Sequence, residues 1–304
     1  MTEMVVVAAE VAEALAAGGP VVALETTLVA HGLPHPDGVE AAFDIEKEVR
    51  RGGAVPATIG VLDGRVKVGM NNLELERLAT CGDAAKLNPG NLAARLATGR
   101  PGATTVGATI WMAERAGIRV MATGGIGGVH RGVAETGDVS PDLQALARHA
   151  VAVICAGAKA ILDLPRTVEM LETLGVPVLG LKTDEFPAFY RRQSGLPVDA
   201  RYETIAEVAA AVAVHVALGG RGVLVTNPIP VAAELPADVY EPALSRALYD
   251  AGRSVHGREV TPFLLERLRV LTGGRSVTAN LALLLHNARV GAELAVALAR
   301  RAHE

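Results

Sequence analysis

Short, wholly apolar runs recur along this chain, and each leads into a glycine turn or a helix-like segment. "PVVALETT" (20–27), "IRVMATGGIGG" (118–128), "AVAVICA" (150–156), "VPVLGLK" (176–182) and "GVLVTNPIP" (222–230) are the runs in question. A strand with one wet face alternates polar and apolar residues; a strand covered on both faces does not. These runs therefore predict a largely parallel sheet clad by helices on both sides. The helical layers are expected at 37–53, Leu73 to Ala79, 102–117, 161–174, 203–220 and in three runs from Ser245 onward, the last 278–302. Asp37 and Gly52 suit the start and stop of the first of these, and Pro165 places the effective start of 161–174. "PATIGVLDGRVKVG" (56–69) reads as a hairpin about Asp63-Gly64, so the sheet should be mixed. No composition shift or repeat divides the chain. The expectation is one domain over 1–304, three-layer α/β/α with a central, largely parallel but mixed sheet.

Composition narrows the function. The net charge of −4 supplies no basic field for nucleic acid, and at 3% aromatic residues there is little to stack on bases. The two cysteines, Cys81 and Cys155, stand far apart and outside any C-x-x-C pair, which fits a reducing cytoplasm. "MTEMVVVAAEVAEALAAGG" lacks a basic leader and reads as a first amphipathic helix rather than a signal peptide. No apolar run of about 18 uncharged residues stands out, so no membrane span is expected.

In open α/β sheets, ligands bind outside the carboxyl ends of the strands. Here those ends are Glu25-Thr26-Thr27, Thr123-Gly124-Gly125, Gly157-Ala158-Lys159, Lys182-Thr183-Asp184 and Thr226-Asn227-Pro228. One rim thus gathers a carboxylate, a glycine loop, two lysines and an asparagine. Lys159 could simply reach solvent, the ordinary fate of a lysine. Its Ala, Gly and Ile flanks also suit a desolvated amine that attacks a carbonyl-type carbon. Glu25 is either half of an ion pair or a proton donor. The loop "TGGIGGVHRG" (123–132) fits neither G-x-G-x-x-G nor a P-loop. It is a plain turn or, through amides such as that of Gly125 and with His130 and Arg131 beside it, an anion cradle.

Other segments carry weaker signals. Ser140, Pro141 and Asp142 make a good helix start, which leaves Asp138 unexplained. Asp138, Ser140 and Asp142 together could also offer oxygen to a hard cation such as Mg²⁺ or Mn²⁺. Thr104 and Thr105 open a helix whose N-terminus suits an anion. Lys86 sits in what reads as a loop, solvated or opposite a phosphate. His31 and His35 have zinc-like i, i+4 spacing, but Gly32, Pro34 and Pro36 exclude the helix that would need.

The longer strings "ALETTLVAHGLPHP", "KLNPGN", "TTVGATIWMA", "MATGGIGGVHRG", "DVSPDL", "AVICAGAKAILDLPRTVEMLETLGVPVLG", "DEFPAFY", "NPIP" and "GRSVTANLALLLHNA" resemble, in order and over roughly 20–300, the pseudouridine-5′-phosphate glycosidase family, which includes indigoidine synthase A-like proteins. The resemblance implies reversible cleavage of the C–C glycosidic bond of pseudouridine 5′-phosphate with water, giving uracil and ribose 5-phosphate. It implies Lys159 as the nucleophile that forms a Schiff base, Glu25 as the proton donor and Asn280 as a further active-site residue. Substrate would be bound by Lys86, Val106 and Ser140 to Asp142, with Thr105, Gly125 and His130 as further candidates. Asp138 would bind Mn²⁺, with waters completing its shell, and the assembly would be a homotrimer. Two competing readings remain: an imine-forming aldolase or lyase on another sugar phosphate, and a non-catalytic sugar-phosphate sensor.

Overall fold

A computed structural model describes residues 4–252, 255 and 260–302. It contains the expected sheet, assembled from eleven strands. In chain order these are β1 (Val5–Val7), β2 (Val21–Leu24), β3 (Val55–Leu62), β4 (Arg65–Val68), β5 (Ala85–Leu87) and β6 (Gly102–Thr104). β7 (Val120–Ala122), β8 (Ala152–Cys155), β9 (Val178–Leu181), β10 (Ala200–Tyr202) and β11 (Val223–Thr226) follow. The main sheet runs β3-β2-β7-β8-β11-β9-β10 and every neighbouring pair in it is parallel. β3 is long enough to serve twice. Its first half, Val55 to Thr58, pairs with β2, and its second half pairs antiparallel with β4 and β6. β1 and β5 then extend this second sheet by parallel pairing with β4 and β6. The sheet is mixed, as expected, and its antiparallel part lies wholly in the β3–β4–β6 region.

Every residue of β2, β7, β8, β9 and β11 is buried. Successive side chains point to opposite faces, so each strand feeds two cores. In β2, Val21 and Ala23 join the core that holds Ile110, Leu143 and Leu268, while Val22 and Leu24 join the one that holds Val49, Val212 and Leu294. The helices Asp37–Arg51, Ile205–Ala217 and Arg275–Ala302 cover the second face. Burying one such Val or Leu contributes roughly 1.5–3 kcal/mol, and this repetition along five strands holds the layers together.

Several expectations need correction. The N-terminal segment is strand β1 followed by a helix only at Ala9–Ala16, because Val5 to Val7 pair with Val66 to Val68; residues 1–3 lie outside the described residues. Residues 102–104 are strand β6 rather than helix, held by β3 and β5; the helix is Val106–Ala116. Lys86 is not in a loop but in the middle of β5. The first of the C-terminal helices begins earlier, at Ala237, and tolerates Pro242 near its start; part of the run that follows it (253–254 and 256–259) lies outside the described residues. The hairpin turns at Asp63 and Gly64 as predicted, with φ of 52° and 69°. Helix Arg275–Ala302 is long and apolar enough to cross a membrane by length and composition, although Arg289 and Glu293 interrupt its apolar run. It is built into the domain instead, with Gly291 against Val22 and Ala122 of the main sheet and Ala292 against Gly52.

The cysteines differ sharply in setting. Cys155 is fully buried, and burial pushes its thiol up to about 12; Cys81 is half-buried. A thiolate is the reactive form. In the native protein iodoacetamide should therefore alkylate Cys81 while Cys155 stays unmodified until denaturant is added, as read by peptide mass spectrometry. Rapid native labelling of Cys155 would show that β8 opens.

Candidate active site

The chain order β2, then β3 on one side, then β7 on the other makes the β2/β7 junction a switch point of the main sheet. A crevice is expected outside the carboxyl ends of those strands, and a cleft lies there. It holds about 880 Å³ of free space, including its open mouth. Glu25 and Thr27 line it from the end of β2, Thr123, Gly124 and Gly125 from the end of β7, and Lys159 from the end of β8. Lys86 reaches it from β5 in the second sheet, and Asn280 from the first turns of helix Arg275–Ala302. The cleft therefore sits where the two sheets part company along β3. Apolar walls come from Leu24, Leu28, Ala122, Phe189, Leu265 and Leu284.

The strand ends are locked to one another. Thr123 N–H donates to Ile154 O, Ala156 N–H to Gly124 O, Ile126 N–H to Gly157 O and Lys159 N–H to Ile126 O. The glycine loop and the lysine turn thus continue the β7–β8 ladder past the sheet proper. Gly157 has φ +86°, and a Cβ there would meet Pro187 O at 1.9 Å, so only glycine lets the chain swing Lys159 into place. Below the turn, Tyr240 O–H donates to Ala160 O at 3.2 Å. Phe189 N–H donates to Ala156 O, and its ring lies against Gly125 at a left-handed φ of 63°. A phenylalanine at such a φ is strained, and strain of this kind collects at functional sites.

Glu25 accepts a hydrogen bond from Thr123 Oγ1 at 2.6 Å. That hydroxyl orients the carboxylate, and no Lys, Arg or His nitrogen lies at salt-bridge distance from it among the described residues. Lys159 is half-buried at the cleft wall, beneath no acidic partner within 4.0 Å among the described residues. His130 is pulled below its ordinary value chiefly by burial; Asp138 opposes this, and Lys86 and Lys159 add to it. Lys86, Lys159, His130 and Asp138 therefore share one electrostatic neighbourhood.

The remaining predicted residues form a layer behind this wall. Loops 128–130 and 138–140 run antiparallel, with His130 N–H donating to Asp138 O and Ser140 N–H to Gly128 O, both at 3.0 Å. Asp138 keeps its carboxylate a third exposed, 3.9 Å from His130 Nδ1. Ser140 caps helix Pro141–Arg148, and Pro141 is exposed. Thr105 caps helix Val106–Ala116, and the Val106 side chain is wholly buried, so only its backbone can face a ligand. Asp142 is only 4% exposed, and its two carboxylate oxygens accept from Gly107 N–H at 2.7 Å and Gly127 N–H at 2.8 Å. It acts as a strut between the glycine loop and the helix at Val106 rather than as a free ligand. Asp142→Ala leaves two buried amides unpaired, at about 1–3 kcal/mol each. Denaturant titration should show a loss of about 2–6 kcal/mol; a loss under about 0.5 kcal/mol would contradict the strut.

Asn227, placed on the rim by the sequence, points away from the cleft into a buried pair with Asn287. Lys182 likewise ends β9 outside this cleft. Thr123 stands on the rim as its strand-end position predicts, whereas nothing local in the sequence marks Phe189 or Asn287 as part of the site.

This architecture defines a class: an open α/β protein whose strand-end cleft is lined by both a carboxylate and a lysine. Residues 10–297 match the family model described as indigoidine synthase A like protein. The chain belongs to that family. It is 54% identical over 96% of its length, and 87% of the relative's, to a pseudouridine-5′-phosphate glycosidase of Methylobacterium nodulans. It is 50% identical over 98% of both chains to the enzyme of that name from Caldanaerobacter subterraneus. Among solved structures it superposes on the prealnumycin C-glycosynthase AlnA in complex with ribulose 5-phosphate, with a TM-score of 0.92 at 40% identity over 99% of both chains. An indigoidine synthase A-like protein of Thermotoga maritima gives 0.89 at 38% identity, over 98% of this chain and 97% of the other.

Proposed function

We propose that this chain cleaves the C–C glycosidic bond of pseudouridine 5′-phosphate with water, reversibly, giving uracil and ribose 5-phosphate. The observation that carries the reading is the convergence of Glu25, Lys86, Lys159 and Asn280 on one cleft. Relatives of that activity at about half identity over nearly the whole chain support the substrate.

A C-glycoside has no leaving heteroatom to protonate, so the paired-carboxylate scheme of ordinary glycosidases does not apply directly. Lys159 Nζ, as the neutral amine, bonds to C1′ while the C1′–O4′ bond opens, and the proton that the nitrogen sheds goes to O4′, leaving a neutral secondary amine. Glu25 then delivers a proton to C5 of the base. The C1′–C5 bond breaks as the nitrogen lone pair closes a C1′=N bond, and neutral uracil leaves. Water adds to the imine, Lys159 departs, and ribose 5-phosphate is released. Lys86 and the amides of the glycine loop suit the 5′-phosphate. Asn280 can orient polar edges of sugar or base.

Asp138 fits a hard cation of the Mn²⁺ type only in a water-rich form. Its carboxylate is accessible, yet no group of three or more His, Cys, Asp or Glu side chains gathers there among the described residues. Waters and the substrate phosphate would complete such a shell. A bound cation would neutralise and orient phosphate; the protonation and imine steps belong to Glu25 and Lys159. We further place the protein, as a single domain, in the cytoplasm as a homotrimer. The similarity to a C-glycosynthase favours one second reading, imine chemistry on another C-glycoside or sugar phosphate. Release of uracil from pseudouridine 5′-phosphate, followed by absorbance with and without Mn²⁺, decides. No uracil under either condition overturns the proposal.

A further inference from the structure

Helix Arg275–Ala302 carries Asn280 at the cleft and, seven residues later on the same face, Asn287, which is wholly buried. Seven residues are two helical turns, so the two asparagines stand one below the other, close to 10 Å apart along the axis. Asn287 Nδ2 donates to Thr123 O at 2.8 Å and, more weakly, to Gly124 O at 3.4 Å. Its Oδ1 accepts from Asn227 Nδ2 at 2.9 Å. Asn227 is itself buried at the end of β11, where its backbone N–H donates to Cys155 O.

This is a costly arrangement unless every group is satisfied. Helix-to-sheet packing needs no amide here, since Leu283, Ala288 and Val290 around it pack without one. The groups the amide grips are not arbitrary either. Thr123 is the residue whose hydroxyl orients Glu25, and Gly124 accepts from Ala156, at the start of the turn to Lys159. The Gly124 carbonyl is already held by Ala156 N–H, whereas the Thr123 carbonyl gets no partner from β2, because the β2–β7 pairing ends at Leu24 and Ala122.

We propose that Asn287 is a positioning residue for the reaction, clamped in one amide orientation by Asn227. It fixes the peptide at Thr123-Gly124, and through the Thr123 hydroxyl it fixes the proton-donating carboxylate of Glu25. Because the same helix carries Asn280, the clamp also sets the height of Asn280 over the glycine loop: the Asn280 Oδ1 atom lies 3.4 Å from where a Gly124 Cβ would stand. The inference rests on the reading of Glu25 as proton donor given above.

The test compares wild type with Asn287→Asp and Asn227→Ala, using steady-state uracil release and circular dichroism. Asn287→Asp keeps the shape and the acceptor for Asn227 but loses the amide donors. Asn227→Ala leaves Asn287 in place and frees its amide to turn. Expected is a fall in kcat of about tenfold or more for Asn287→Asp and a smaller fall for Asn227→Ala. KM should change by less than about threefold in both, because Lys86, the charged group that suits the 5′-phosphate, is untouched. Thr123→Ser, which keeps the hydroxyl, should retain most of the activity, and Thr123→Val should repeat the Asn287→Asp loss. A folded Asn287 or Asn227 variant with wild-type kcat overturns the proposal. So does failure of both to fold, which would assign the pair to stability alone. Absence of uracil release by the wild-type protein would instead overturn the underlying reading.

Discussion

Lys159→Ala is expected to release no measurable uracil from pseudouridine 5′-phosphate, a loss of about 10⁴-fold or more, because it removes the amine proposed to bond C1′. Stability should hardly change. Lys159 is half-buried, and the turn that carries it is held by backbone bonds to Ile126 and Leu162 and by Tyr240 on Ala160. None of those contacts uses the lysine side chain. Circular dichroism and the denaturation midpoint should therefore match wild type while turnover vanishes. Lys159→Arg should be as inactive, since guanidinium stays protonated and cannot attack. Near-normal turnover in either variant would remove the imine from the mechanism.

Glu25→Gln should lower kcat by about 10²–10⁴-fold, the usual worth of a positioned general acid. The substitution is nearly isosteric, and Thr123 Oγ1 can donate to the amide oxygen as it donates to the carboxylate. Fold and substrate affinity should survive, so the loss should appear in kcat with KM nearly unchanged. The variant also separates two steps. Protonation at C5 precedes uracil departure, whereas an imine with ribose 5-phosphate needs no proton on a base carbon. Glu25→Gln should thus still form an adduct with ribose 5-phosphate while failing to release uracil. Parallel loss of both would show that Glu25 acts mainly by holding the sugar.

How much of this was legible in the sequence differs from residue to residue. Glu25 and Lys159 were readable because β2 and β8 are buried on both faces, and such strands announce themselves and their carboxyl ends as uninterrupted apolar runs. The rim rule then placed both side chains on one side of the sheet. Lys86 was readable as a residue but not as an element. β5 is three residues long, and its partner β6 hides at the front of a helix-like string; both strands exist only because β3 outlasts β2 and leaves an edge to pair. β10 was missed for a related reason, since its Ala200, Arg201 and Tyr202 are at the edge and carry no apolar run. Asp142 looked like a helix-start residue or a ligand. Its grip on Gly107 and Gly127 is a contact across 35 and 15 residues that spacing cannot reveal. Asn287 is the extreme case. A polar residue in a long helix reads as solvent-facing, and only the packed structure shows it at 0% exposure beneath the cleft. The resemblance to a known family named residues for the reaction, but it did not say which touch the cleft and which stand behind it.

The most direct test of the account is reduction with borohydride in the presence of ribose 5-phosphate, followed by peptide mass spectrometry. The account predicts one sugar-phosphate adduct, on Lys159, absent from Lys159→Ala and competed by pseudouridine 5′-phosphate. An adduct confined to Lys86 or Lys182, or no adduct from an enzyme that releases uracil, would contradict it.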